Sequence, residues 1–294
     1  MGFEQITAGR CAEQAIELRA GLAHFGVSVN PTSDVGRMLA ALEWMGSFSP
    51  DSPQPDAAWA ADRERAKRSF PLYEQAIRIG NALTVTRDIH GADKLAAKLR
   101  KRIDRLVSQD EQAQDFLFEL ELGARCVSHG FTISFEEPDI LIHTTDGPRF
   151  GIACKRPRNA ARMRERIRDA IDQMASMPSE QAGIIAVGME PLFHHSGDPS
   201  RPTVLYQGDS AMLKNEAHRI VHAAVVASQR EIRSAFEAGV AGFLFCGVIT
   251  GWAKNVLPGR DAYHFQWIHR SITHPDAMGV ADALEQHLFR EKSD

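Results

Sequence analysis

Cysteine is scarce: four in 294 residues, at positions 11, 126, 154 and 246, with no CxxC pair among them. That excludes a disulfide framework and a zinc ribbon, and points to a reducing compartment, with a cytoplasmic setting expected. Long apolar runs are missing too. The longest uncharged stretch, residues 238–253, contains Gly239, Gly242, Gly247 and Gly251 and is too short for a membrane span, so no membrane partner is expected. Glu4 and Arg10 interrupt the beginning of the chain, so it does not read as a leader. Positive charge is not in excess: 38 acids stand against 34 bases, a net of −4. A generally basic coat is thereby excluded, while a local basic groove is not. There is no internal repeat and no phosphate-loop pattern. The twelve histidines, including His194-His195 and the spread His264, His269 and His274, lack ligand spacing. Cys126 and His129 have no second pair to complete a zinc site.

What is present is a chain 44% hydrophobic and 24% charged, enough for a packed core. Residues 1–110 read as a helical region. Apolar groups recur at helical spacing over 8–25, 34–45, 57–88 (interrupted near Pro71) and 91–108. The segment 46–56 is rich in Gly, Ser and Pro and reads as an exposed connection. The character changes over 111–294. A helix at 112–128 is followed by a strand carrying Phe131, Ile133 and Phe135 and by a second strand over 138–144. Asp146-Gly147 marks a hairpin turn, and a third strand covers 149–155. A helix opened by Pro157 and Asn159 carries Met163, Ile167, Ala170, Ile171 and Met174 on one stripe. Residues 183–188 then read as a buried strand, reached by a parallel crossover. A polar loop over 190–210, a long helix near 211–237 and strands near 241–249 and 262–270 complete the pattern.

Paired second and third strands bring Asp139 and Lys155 to one end of the sheet. Glu119 and Glu121 lie on the helix before it. Carboxylates there suit a hard divalent cation, and an ammonium beside them suits a phosphate on which negative charge develops. Each residue also has an ordinary reading: a turn acid at a strand start, a strand-end charge reaching solvent, a solvated helix face.

Phe118-Glu119, Gly130-Phe131, Pro138-Asp139-Ile140 and Gly151-Ile152-Ala153-Cys154-Lys155-Arg156-Pro157, in that order, resemble the PD-(D/E)XK nuclease superfamily. The resemblance covers about residues 112–188. It implies an α/β (α+β) restriction-endonuclease-like αβββαβ core with a mixed central sheet, behind an all-helical N-terminal region. It also implies Mg²⁺- or Mn²⁺-dependent phosphodiester hydrolysis, with DNA the expected substrate and defence against foreign DNA or DNA repair the expected setting. Carried over, Asp139 is the central metal aspartate and Lys155 the catalytic lysine. Glu119 is the helix glutamate, with Glu121 the second choice, and the Cys154 carbonyl helps to hold the metal. The family's acid two residues before the lysine is replaced here by Ala153. Either another acid takes its place (Asp169, Glu165, Glu136 or Glu137), or the site is degenerate and the chain is a nucleic-acid-binding or complex-assembly subunit.

Between Arg149 and Asp172 eight bases face three acids. Arg156, Arg158 and Arg162 are the expected grip on a phosphate backbone, with an ion-paired exposed helix the competing reading. The basic stretch Lys94, Lys98, Arg100, Lys101, Arg102 and Arg105 is read either as a solvated face or as a phosphate contact. A protein partner for the helical region and a homodimer are further expectations.

Overall fold

A computed structural model of the chain describes residues 8–47, 74–102, 110–143, 150–176, 182–193, 204–206, 210–257, 260–277 and 280–289. The helical reading of the first part follows from where its apolar groups fall. In α1 (Ala8–His24), Cys11, Ala15, Leu18 and Leu22 recur every three or four residues, and all are buried. α2 (Asp34–Gly46) starts where the Ser33 side chain accepts the Gly36 N–H at 3.1 Å, satisfying one of the orphan donors of the first turn. A helix over 74–86 (α3) buries Ile79, Ala82 and Leu83. α4 (Ala92–Arg102) buries Leu95, Ala96 and Leu99. α5 (Glu111–Ser128) is capped by Asp110, which accepts from the Gln112 and Ala113 amides. Eleven of its eighteen residues are buried, so protein covers more than one side of it.

The order after α5 is helix, three strands, helix, strand, as the sequence pattern predicts: β1 (Thr132–Ser134), β2 (Ile140–His143), β3 (Phe150–Lys155), α6 (Ala160–Met174) and β4 (Ala182–Gly188). A 3₁₀ turn (Glu190–Leu192) follows, then β5 (Val204–Tyr206), α7 (Ser210–Ala227), α8 (Gln229–Glu237), β6 (Val240–Leu257), β7 (Arg260–Thr273) and α9 (Val280–Phe289). The seven strands form one mixed sheet in an α+β fold. β1, β2 and β3 are antiparallel neighbours, β3 and β4 are parallel, and β4 is parallel to the first half of β6. β5 pairs with β6 farther along, and β7 runs antiparallel to β6 along nearly its whole length.

Alternation along β3 assigns its residues to two cores. Ile152 and Cys154 join the core built from α1 to α5. Ala153 joins the other, with Met163, Ile167 and Ala170 of α6 and the apolar faces of α7 and α8. The first core runs without a break from Leu18 and Leu39 through Phe116 to Ile142 and Cys246, so the N-terminal helices and the sheet share one interior.

Several expectations differ from what is observed. The single helix near 211–237 is two helices that meet at Ser228. The last two strands are longer than the apolar pattern marks, because they pair mainly with each other and need no second face of apolar residues over that length. β5, the 3₁₀ turn and α9 were not legible in the pattern. The Asp146-Gly147 turn, Pro71, Arg149 and His194-His195 lie outside the described residues. Among the described residues no helix is long and apolar enough to cross a membrane.

Gly242 on β6 marks the closest approach of α9 to the sheet: a Cβ there would lie 2.5 Å from the Ala281 Cβ and 2.9 Å from the Ile272 carbonyl oxygen. Gly242→Ala is therefore expected to destabilise the fold by about 1–3 kcal/mol. The check is urea unfolding, in which the midpoint falls while the slope is retained.

Candidate active site

β2 and β3 pair with Ile140 opposite Ile152, so Asp139, one residue before β2, arrives at the end of β3. Its Oδ2 accepts the Cys154 N–H at 2.8 Å and lies 3.9 Å from the Lys155 Nζ. The N–H and C=O of one strand residue point to the same edge. The Cys154 carbonyl therefore faces Asp139 as well, while the Cys154 thiol is buried and burial pushes its pKa up. Lys155 is itself largely buried and donates to Gln173 Oε1 at 2.5 Å. Gln173, near the end of α6, donates in turn to the Pro138 carbonyl and to Glu137. A neutral amide of α6 thus holds the lysine. Ala153, opposite Asp139 in register, is fully buried beneath the apolar stripe of α6.

Glu119 approaches from α5, near enough for the charge of Asp139 to act on it. It is buried, and both its carboxylate oxygens accept from Lys98 of α4, at 2.7 and 2.8 Å. Burial pushes its carboxyl up to about 7 against the pull of Lys98, and the charge of Asp139 adds to the rise. Burial raises Asp139 too, opposed by Lys155, the Cys154 N–H and Lys98. Each carboxylate therefore feels the other's surroundings. The site comprises one buried carboxylate (Glu119) and one partly buried carboxylate (Asp139), two ammonium groups, an amide and an inward-facing carbonyl. Sequence reasoning missed Gln173, which carries no charge and lies outside the apolar stripe. Lys98 was visible only as one member of a basic stretch.

Other expected site residues are not brought there. Glu121 follows Glu119 by two positions, about 200° around the helix, and so faces away from Asp139. It enters a second buried cluster, 3.4 Å from Arg78 Nη2. Arg78 also meets Glu74 at 2.8 Å and Glu190 at 2.6 Å, and Glu190 is bonded to Arg156. Arg156 is thus no phosphate grip. It is buried, its guanidinium is committed to Glu190 and its amide donates to Asp115. Asp169 does not fill the vacancy at Ala153: it is solvent-facing and paired with Arg166 at 2.6 Å. Arg162 is held by Glu111 and Glu165. Arg158 is exposed, at the turn into α6.

The other arginines of α6 have partners too. Arg166 also bonds Asp115, Arg168 meets Glu231 and Arg164 donates to the Ala227 carbonyl. The local excess of bases counted along the sequence is reduced by Glu111 and Asp115 of α5 and Glu231 of α8, so the ion-paired reading of this helix prevails. Among the described residues no group of three or more His, Cys, Asp or Glu side chains is arranged to hold a metal ion.

Comparison with known proteins adds no relative: no family model, no curated protein and no solved structure matches the chain.

The second cluster sets three carboxylates against two guanidiniums, and burial pushes Glu74 up to about 8. Below about 4.5 Glu74 is protonated in both the folded and unfolded chain. Above that only the unfolded chain releases the proton, so this contribution to stability is lost as pH rises through the folded value. Stability is expected to fall between about pH 4.5 and about 8, and Glu74→Gln is expected to flatten that fall. Urea unfolding of both proteins across this window is the measurement.

Proposed function

We propose that the chain is a metal-dependent nuclease, hydrolysing phosphodiester bonds with DNA as substrate, built on a PD-(D/E)XK-like core. The observation that carries the reading is the meeting of Asp139, the Cys154 backbone and Lys155 at one strand end, with Glu119 beside them. The donor set fits a hard cation. All its candidate ligands are oxygens, and two carboxylates whose pKa values are raised by desolvation, Glu119 buried and Asp139 partly so, gain from a nearby dication. Asp139, Glu119 and the Cys154 carbonyl would hold Mg²⁺ or Mn²⁺, which when bound supplies Lewis acidity to the phosphodiester and lowers the pKa of water.

The residues of the chain do the rest. Gln173 fixes the Lys155 ammonium without neutralising it, so its charge is available where negative charge develops on the phosphate. Asp139, locked by the Cys154 amide, keeps one orientation. The loss of the acid at Ala153 leaves one fewer anionic ligand, and a weaker metal site follows from it. Defence against foreign DNA or DNA repair is the setting this chemistry suits.

A second reading has its own support. Lys98 sits on both oxygens of Glu119, where a metal would bind, and among the described residues fewer than three carboxylates converge. A relative that has lost its metal and serves as a binding or assembly subunit would have such a site.

The two readings part on metal uptake and cleavage. Calorimetry with Mn²⁺ and nicking of supercoiled plasmid are expected to be positive for the wild type. Asp139→Asn and Lys155→Met are each expected to lower nicking by about a hundredfold or more. Folded protein that takes up no Mn²⁺ and nicks nothing makes the second reading the correct one.

A further inference from the structure

The nuclease reading leaves open which surface holds the nucleic acid, since the arginines of α6 are already committed to carboxylates and a carbonyl. α4 differs. Its single acid is Asp93, against Lys94, Lys98, Arg100, Lys101 and Arg102. Arg100 and Arg102 are spent on the Phe25 and Gln112 carbonyls. Lys94, Lys98 and Lys101 stand at i, i+4 and i+7, which places them on one face of the helix. Lys94 and Lys101 are exposed and meet no carboxylate among the described residues. Lys98, between them, is 37% exposed and already reaches into the site through Glu119. The residues at 95, 96 and 99 are buried and fix the helix against the core, so this face is held rigidly.

We propose that α4 is the phosphate-binding element of the site: Lys94, Lys98 and Lys101 engage the backbone of the DNA strand presented to Asp139 and Lys155. The inference rests on the nuclease reading for the identity of the strand and not for the contact itself. Seven residues of helix span about 10 Å. One DNA strand advances about 3.4 Å per phosphate, so the stripe of about 10 Å reaches across about four successive phosphates, enough for each of the three ammonium groups to meet a separate one. Lys98 is the link between binding and chemistry. On Glu119 in the free protein, it is placed to move to a phosphate when the anionic strand arrives.

The test is the salt dependence of binding to a labelled DNA duplex, followed by fluorescence anisotropy in EDTA so that nothing is cut. The double variant Lys94→Gln/Lys101→Gln is expected to reduce the slope of log K against log salt by about 2, near 0.9 per lost phosphate contact. Arg162→Gln/Arg164→Gln, which removes the same charge from α6, is expected to leave the slope unchanged. Circular dichroism and thermal unfolding establish that both variants are folded. An unchanged slope in the α4 variant, a loss carried instead by the α6 variant, or no salt-dependent DNA binding by the wild type overturns the proposal. Plasmid nicking separates this from the reading beneath it. Protein that binds through α4 but never cuts removes the nuclease assignment and keeps the contact. Protein that cuts with its α4 slope intact does the reverse.

Discussion

The arrangement depends on one contact, the backbone N–H of Cys154 donated to the carboxylate of Asp139. A carboxylate taken out of water is costly unless charge-assisted hydrogen bonds replace its hydration. Here the replacement comes from the end of the neighbouring strand, and the register that pairs Ile140 with Ile152 is what delivers it. A slip of one residue along β2 would turn Asp139 to the other face of the sheet and bring an apolar residue to this place. The same register exposes Ala153 to α6 and aims Lys155 at Gln173, so the apolar packing of α6 and the polar site at its end are set by one pairing.

Much of this was legible in the sequence, for reasons that can be named. Period-2 alternation identified β1, and the short apolar runs identified β2, β3 and β4. Asn159 announced α6 and does cap it, accepting the Arg162 N–H at 3.0 Å. The positions of Asp139 and Lys155 follow from strand order and a short connection, and they meet as that order implies. Charge counted along the chain failed, because electrostatic partners are set by tertiary proximity. The acids that neutralise α6 come from as far off in sequence as Glu111, Asp115 and Glu231. Arg156 looked like a surface cation because arginine is seldom buried without partners, and Glu190 is the partner that buries it. β5 and α9 were missed because three residues are too few to show a period and because α9 packs partly through polar contacts, with Glu285 bonded to His269 and Ser271.

α5 carries the clearest consequence of burying charge. Glu119 and Glu121 are both buried, yet they serve separate clusters on opposite sides of the helix. Glu119 ties α4 to the sheet end through Lys98. Glu121 joins α3 and the turn after β4 through Arg78 and Glu190. The N-terminal helices are therefore joined to the α/β part by ionic contacts as well as by the shared apolar core. Apolar contact supplies most of the attraction but is not directional, whereas a buried ion pair tolerates few alternative geometries without leaving a charge unpaired. α3 and α4 are thereby fixed in orientation against α5 and the sheet end.

That fixing gives the two clusters different tasks. The Arg78 group is closed: the side chains of Arg78, Glu74, Glu121, Glu190 and Arg156 are all about nine-tenths buried or more. The Glu119 group is open at Lys98, more than a third of whose side chain meets solvent. The closed cluster carries three carboxylates against two guanidiniums and has no exchangeable counter-ion, so its imbalance is met by holding a proton, as the raised pKa of Glu74 shows. The open cluster sets two carboxylates, Asp139 and Glu119, against two ammonium groups, so it carries no such imbalance, and its exposed counter-charge, Lys98, is the one that can exchange with an ion from solution. Accessibility separates a buried charge group that can only stabilise from one that can bind. By that criterion the proposed chemistry is assigned to the end of β3, beside Lys98 of α4, and the Arg78 cluster is assigned to stability.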